Sequence, residues 1–322
     1  LSSSSAASDV YKRQGGTNAD DKNTDSSEDT YTIGVLYLDQ EVLLSEATAG
    51  CQAYAAEHSN VKLIEYNANK DVSTQLKQCE NLISQNVDAI ALTPVDGAGC
   101  DQIINACKDA GIPLICFHAK VNGAPITNIL FDNVGFGKMQ VDYAMEIFEK
   151  NGGDMNGTIN VGIVTGKLDN QNAVERCQGY EEQLKNYANA TIVDEQVGSW
   201  NRDDAMAIAE NWITSGRDID IILSNNDAMA IGISLAYANA NVERPIIIGV
   251  GGTEEGLTAI LNGDFDGTVF QPAYQNGYDA IDFTVKYLNG ETLEESYVTE
   301  GVLVTPETAQ ATLDNLNAML NS

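Results

Sequence analysis

The sequence predicts an α/β fold of two doubly wound parallel-sheet lobes, and three observations carry that expectation. From Tyr31 onward, short β-branched runs alternate regularly with helical stretches. The runs are apolar throughout rather than at every second residue, as in strands covered on both faces by crossover helices. About ten such strands, with the pattern restarting near residue 132, suit two lobes better than one open twisted sheet.

The elements follow in order. "YTIGVLY" is a strand leading to a helix over 43–58, and "VKLIEYN" leads to a helix over 72–85. "DAIALT" precedes a helix over 101–109, then "IPLICF" and "ITNILF" close the first set before a long helix over 135–151. "INVGIVT", "TIVDEQV", "IDIILS", "PIIIGV" and "GTVF" form the second set, again separated by helical patterns. Right-handed strand–helix–strand crossovers wind each set into a doubly wound sheet. The first lobe is expected to hold residues 31–131 and a return segment, 272–297. The second is expected to hold 132–271 and 298–322, ending in a helix from Pro306 to Leu320.

The start of the chain stands apart. Residues 1–14, "LSSSSAASDVYKRQ", have no apolar core and no cleavage signal, and are read as a non-native start. Residues 15–30 are Gly, Ser, Thr, Asn and acid with nothing large and apolar to bury, which reads as a flexible acidic tether. No apolar run reaches the roughly 18 residues of a membrane-spanning helix.

Across 322 residues, 17 Lys and Arg face 47 Asp and Glu, a formal net charge of −30. A field of that sign repels phosphate backbones and anionic membranes, so nucleic acid is not an expected partner. None of the six cysteines forms a CxxC pair, which removes zinc-knuckle and thioredoxin chemistry. Most lie on expected helices or a strand, where Cys acts as a small hydrophobe, although the pattern is also compatible with a disulfide between two early ones. No GxGxxG or GxxxxGK[ST] follows a strand, so dinucleotide and P-loop readings fall away and no cofactor is expected.

In open α/β sheets, ligands bind beyond the carboxyl ends of the strands. Asp39, Gln40, Glu41, Asp96 and His118 occupy those places in the first lobe; Asn170, Asn172, Trp200, Asn226, Gly251 and Gln271 do so in the second. Hydrogen-bonding side chains with one large aromatic suit a small, polar, uncharged molecule. Other roles compete at single positions. Asn226 also suits a helix cap, Arg176 could pair with Glu175 or Glu182 on a solvated face, and His118 is equally readable as a passive loop residue. Cys116 and His118, two apart on a strand, invite a thiol-nucleophile reading, but Cys116 lies in an apolar run with no orienting acid. Asp39, Glu41 and His118 lack metal-ligand spacing, so neither a metal site nor catalysis is expected.

Several stretches carry a family resemblance that covers Tyr31 to about Val304. "NNDAMAIG", "IIGVGGTEEGLTAILNGDFDGTVFQ", "FDNVGFGK" and "ERCQGYEEQL" resemble, in this order and spacing, bacterial periplasmic-type (type I) sugar-binding proteins of the ribose/galactose class. Those are extracytoplasmic receptors of ABC importers, monomers of two lobes joined by three hinge strands and closing on one sugar. The resemblance implies Glu41 as a hydroxyl acceptor, His118 where the family has Asp or Asn, Arg176 as a cationic clamp and Trp200 as a stacking wall. Asn226 and Gln271 fall on polar contact positions, with Asp39 and Asn172 close by; Asn226 then faces the cleft while Asp227 and Ser224 satisfy the helix start. The tether resembles the segment after the lipid-bearing Cys of exported lipoproteins, implying anchorage on the outer membrane face or a free periplasmic form.

Two departures bear on the ligand. The family's acidic residue after "GV" is Gly251 here, and its first-lobe aromatic pair is Leu43 and Leu44. Both point away from glucose, galactose and ribose, toward a deoxy, substituted, smaller or acyclic sugar-like compound such as a polyol. The galactose-binding members' calcium loop has no counterpart, since "NGGDMNGTIN" is short and holds one carboxylate. Alternatives are a non-sugar polar solute, or a receptor serving a membrane sensor or chemoreceptor. A repressor core of the same fold would need a basic helix-turn-helix where residues 15–30 are acidic.

Overall fold

The structure, a computed structural model, describes residues 30–97, 99–121, 123 and 125–321. The expected non-native start and all but the last residue of the tether lie outside the described residues.

The first sheet is built from β1 (Tyr31–Tyr37), β2 (Val61–Asn67), β3 (Ala89–Leu92), β4 (Leu114–Phe117), β5 (Thr127–Phe131) and β11 (Ser296–Thr299), in the order β11-β5-β4-β3-β1-β2. Its helices are α1 (Val42–Glu57), α2 (Val72–Ser84), α3 (Asp101–Ala110) and α9 (Ala273–Leu288). The second sheet joins β6 (Ile159–Thr165), β7 (Ala190–Val197), β8 (Ile221–Ser224), β9 (Ile246–Gly251), β10 (Gly267–Phe270) and β12 (Val302–Val304), in the order β12-β10-β9-β8-β6-β7. Around it lie α4 (Asn133–Lys150), α5 (Gln171–Leu184), α6 (Arg202–Thr214), α7 (Asp227–Ala240), α8 (Glu254–Asn262) and α10 (Pro306–Leu320). Every ladder is parallel except β10–β12. This is the expected pair of doubly wound lobes.

The continuous apolar strands have the expected cause. In β1, Ile33 and Val35 enter one core cluster and Leu36 enters another on the opposite face. The edge strand β7 differs: "ATIVDEQV" is largely exposed and carries acids, which discourages a further strand from pairing there.

The chain passes between the sheets three times, after β5, after β10 and between β11 and β12. The return strand β11 continues to Thr299, two residues past the expected division, so the last crossing falls at 300–301. All three crossings leave a strand of one sheet at its carboxyl end, which turns the carboxyl ends of the two sheets toward each other.

Glycines bring helices to backbone contact. A Cβ at Gly50 in α1 would stand 1.9 Å from the Tyr274 carbonyl oxygen in α9, and one at Gly277 would stand 1.9 Å from that of Ala47. The second lobe repeats the device: at Gly137 in α4 a Cβ would meet the Arg176 carbonyl oxygen at 2.2 Å, and at Gly179 in α5 that of Val134 at 2.2 Å.

Cysteine serves as core filling in the first lobe. Cys79, Cys100, Cys107 and Cys116 share one apolar cluster, with the Cys79 and Cys107 sulfurs 3.6 Å apart as free thiols. Cys116 is fully buried and burial holds its thiol well above the ordinary range, which argues against the nucleophile reading.

Because neither backbone can retreat, Gly50→Ala is expected to lower the unfolding free energy by about 1–3 kcal/mol or more. Urea unfolding checks this; a parent-like midpoint would show that α1 and α9 are not held at backbone contact.

Candidate functional site

The site grows from α5. Gly137 and Gly179 let α4 and α5 touch, and this sets Arg176 beside Asn133 at the start of α4. Arg176 is only 3% exposed. Its Nε donates to Asn133 Oδ1 at 3.0 Å, one Nη donates to the Asn225 carbonyl, and the other donates to Gln271 Oε1 at 2.7 Å. The guanidinium carbon lies 5.8 Å from the Phe136 ring centroid and 5.6 Å from that of Trp200. Burial pushes its pKa down to about 10, so it remains a cation at neutral pH. Three of the guanidinium's five N–H groups are used by these partners, leaving two directed elsewhere.

Arg176 pairs with neither Glu175 nor Glu182. Glu182 meets Lys138 at 2.6 Å, while Glu175 accepts from Gln171 and from Asn133. Asn133 also donates to Asn172 Oδ1 at 3.2 Å. Asn172 in turn donates to the His118 carbonyl at 3.3 Å, a hydrogen bond from the second lobe to the first.

His118 ends β4 in a left-handed conformation, φ +70°, so the alternation that would align it with Cys116 is broken. Its ring stands edge-on to Phe131 at 5.5 Å, and its Nδ1 is buried with no protein partner. Burial, reinforced by the Arg176 charge, lowers its pKa to about 4 and keeps the imidazole neutral. Trp200 follows Ser199 through two consecutive left-handed residues, φ +53° and +66°. Its ring packs against Gly166, where a Cβ would come within 2.1 Å of the indole.

The polar knot after β8 is arranged differently from the expectation. Asn226 is the cap: its Oδ1 accepts from Met229 N at 2.9 Å while its Nδ2 donates to the Trp200 carbonyl at 3.2 Å. Asp227 does not satisfy the helix start. Its carboxylate accepts from Gly252 N at 2.7 Å, Thr253 N at 3.1 Å and Thr268 Oγ1 at 2.6 Å, tying α7 to the ends of β9 and β10. Ser224 Oγ donates to the Asn226 carbonyl. Asn226 thereby ties the Trp200 backbone to the start of α7.

Gly251 has a local reason. Its φ is +142°, and a Cβ there would stand 3.0 Å from Asp227 Oδ2. A carboxylate already fills that end of the sheet, supplied by the neighbouring helix.

Glu41 is the residue just before α1. Its side chain is 64% exposed and pairs with Lys70, which also reaches Asp39 Oδ2 at 3.3 Å. Asp39, itself buried, accepts from Glu41 N through Oδ1, so the exposed Glu41–Lys70 pair is tied to a buried carboxylate. Leu44 is buried, and Leu43 packs on the first lobe's core.

Two residues absent from the expectation belong here. Asn225 is fully buried; its Oδ1 accepts from Gly166 N and its Nδ2 donates to Tyr180 Oη, both at 3.0 Å. Glu46, on α1, is 3% exposed, and its Oε2 has no hydrogen-bond partner. Burial, and then the charge of Asp227 in the opposite lobe, raise its pKa to about 8.

Two lobes hinged at three crossings, with amides, a buried guanidinium and an indole between facing strand ends, define a solute-binding protein. Residues 35–292 match the family model described as a periplasmic binding protein domain, and the chain belongs to that family. Membership places it outside the cytoplasm, among binding proteins rather than enzymes. The xylitol-binding protein of Mycolicibacterium smegmatis is 30% identical over 293 residues, covering 90% of this chain and 80% of that protein. A galactofuranose-binding protein of Escherichia coli is 25% identical over 300 residues, covering 89% and 92%. Among solved structures, an ABC transporter solute-binding protein from Bacillus halodurans with bound myo-inositol superposes with a TM-score of 0.80. It is 29% identical, with 90% of this chain and 99% of that chain covered.

His118 makes acid sensitivity predictable. Its folded pKa is depressed from 6.5 to about 4, so below 6.5 the unfolded chain takes up a proton that the folded one refuses. Stability contributed by the neutral ring is present above pH 6.5 and lost as pH falls toward 4. His118→Asn is expected to flatten that part of a melting-temperature profile; an unchanged slope would show that His118 is not sealed from water.

Proposed function

We propose that the protein captures a neutral polyhydroxylated solute, a polyol or a close sugar relative, between its lobes and presents the closed form to an ABC importer. The observation that carries this reading is the Arg176–Trp200 pair at the facing strand ends. Among the described residues, two guanidinium N–H groups are left without a hydrogen-bond partner in a water-poor setting, and the indole offers an apolar face of the kind that sugar C–H groups pack on. Arg176 is balanced by the nearby carboxylate of Asp227, which suits an uncharged guest better than an ion. Two of the relatives described above support the choice: one is named for xylitol, the other was solved with myo-inositol.

Binding follows from closure. Only the closed arrangement lets first-lobe and second-lobe groups touch one molecule, so ligand shifts the population toward it. The importer then meets a surface that exists only in that state. We further assign residues 15–30 as a spacer between these lobes and a lipid anchor on the outer membrane face, and the working form as a monomer.

Calorimetric titration with xylitol, myo-inositol, glucose, galactose and ribose tests the ligand class. A polyol is expected to bind with a Kd in the micromolar range or below, and the three aldoses at least tenfold more weakly. Submicromolar binding of glucose, galactose or ribose would overturn the reading. Trp200→Ala is expected to weaken binding of the same polyol by about 1 kcal/mol or more while the chain stays folded. Parent-like affinity in that variant would remove Trp200 from the site. Arg176 is a poorer test by truncation, because losing a buried cation strips Asn133, Asn225 and Gln271 of their partner and destabilises the fold itself.

A further inference from the structure

A carboxyl group with a buried oxygen that no protein atom reaches is a costly thing for a fold to keep. Glu46 is such a group: it sits on α1, 3% exposed, with Oε2 sealed from solvent and unpartnered. An unmet buried acceptor or donor destabilises a fold, because the hydrogen bonds it made to water are lost without replacement. Nothing in the packing of α1 asks for an acid at this position. The neighbouring Ala47, Gly50 and Cys51 make the contacts with α9, and Leu44 fills the apolar side. The charge acting on Glu46 belongs to Asp227, across the lobe boundary. Asp227 in turn lies within electrostatic reach of Arg176, which acts on His118. Glu46 lies near the start of α1, which begins just past the carboxyl end of β1, on the side where the strand ends of the two sheets face each other.

We propose that Glu46 is the first lobe's principal contact to the ligand, its carboxyl exchanging hydrogen bonds with a hydroxyl group of a neutral polyol. This rests on the polyol reading above and deepens it. The charges around the space favour an uncharged guest. An anion would face the carboxylate of Asp227, and a cation would face the desolvated guanidinium of Arg176. A carboxyl that retains its proton at neutral pH, as burial dictates here, has both a donor and an acceptor to offer, which is what a hydroxyl group complements. His118 Nδ1 adds a second unpartnered polar atom from the same lobe. The first lobe thus supplies open hydrogen-bonding atoms, and the second supplies the indole face with the remaining donors of Arg176. Glu41, exposed and paired with Lys70, leaves this role to the residue five places further along α1.

The experiment uses the full chain and the variants Glu46→Leu and Glu46→Gln, with xylitol and myo-inositol as probes, and reads both calorimetric affinity and unliganded melting temperature. Glu46→Leu is expected to bind the better probe at least tenfold more weakly while melting at or above the parent, since it removes an unmet polar group. Glu46→Gln, which keeps a neutral donor and acceptor, is expected to hold affinity within about threefold, well under the tenfold that 1.4 kcal/mol represents. Parent-like binding by Glu46→Leu overturns the proposal. So does a melting temperature lowered by several degrees in both variants, which would mark Glu46 as structural. If neither probe binds the parent, the polyol reading fails and the ligand class stated here fails with it. The melts still decide the residue: a value at or above the parent for Glu46→Leu supports a group kept for function, and values lowered by several degrees in both variants overturn it.

Discussion

A guanidinium withdrawn from water governs the inner face of the second lobe. Arg176 can stay buried as a cation only because Asn133, the Asn225 carbonyl and Gln271 converge on it and two aromatic rings flank it. Those partners are not local to one another. Asn133 opens α4 just past the first crossing, Gln271 lies at the second, and Asn225 follows β8. One buried ion therefore fixes both the floor of the site and two of the three points about which the lobes turn. The arrangement depends in turn on Gly137 and Gly179, since any side chain at 137 would strike the Arg176 backbone.

The loop after β8 extends the same logic. Asn225 links Gly166, Tyr180 and Arg176, while Tyr180 Oη donates onward to Gln140 Oε1, whose amide nitrogen binds the Ser224 and Ile248 carbonyls. Asn226 anchors Trp200, and Asp227 locks the ends of β9 and β10. A buried polar network with nearly every member satisfied is rigid, and rigidity at the second lobe leaves adaptation to the first.

Much of this was legible in the chain. Continuous apolar runs betrayed two-sided burial, and the strand-end rule drew attention to Gln271, a partner of Arg176, and to Asn172 and Trp200. Other features could not be read that way. Asn225 and Asn226 are identical in type, and only the turn of the backbone decides which one caps the helix and which one faces the guanidinium. Glu41 looked like an inner acceptor because it follows β1, yet it lies where Lys70 can reach it from the loop after β2. Glu46 gave no signal at all: an acid inside a helix usually faces water, and local sequence does not encode its burial.

The hydrogen bond from Asn172 to the His118 carbonyl joins the two lobes directly. A bond of this kind contributes about 0.5–1.5 kcal/mol, and it raises the share of closed molecules before cargo arrives. Apparent affinity improves in proportion to that share, since less closure remains for the solute to drive. The same gain blurs the message sent across the membrane. An importer that reads only closure would engage some vacant receptors and hydrolyse nucleotide for no delivery, so the strength of this one amide contact sets a trade between scavenging at low concentration and fidelity of signalling.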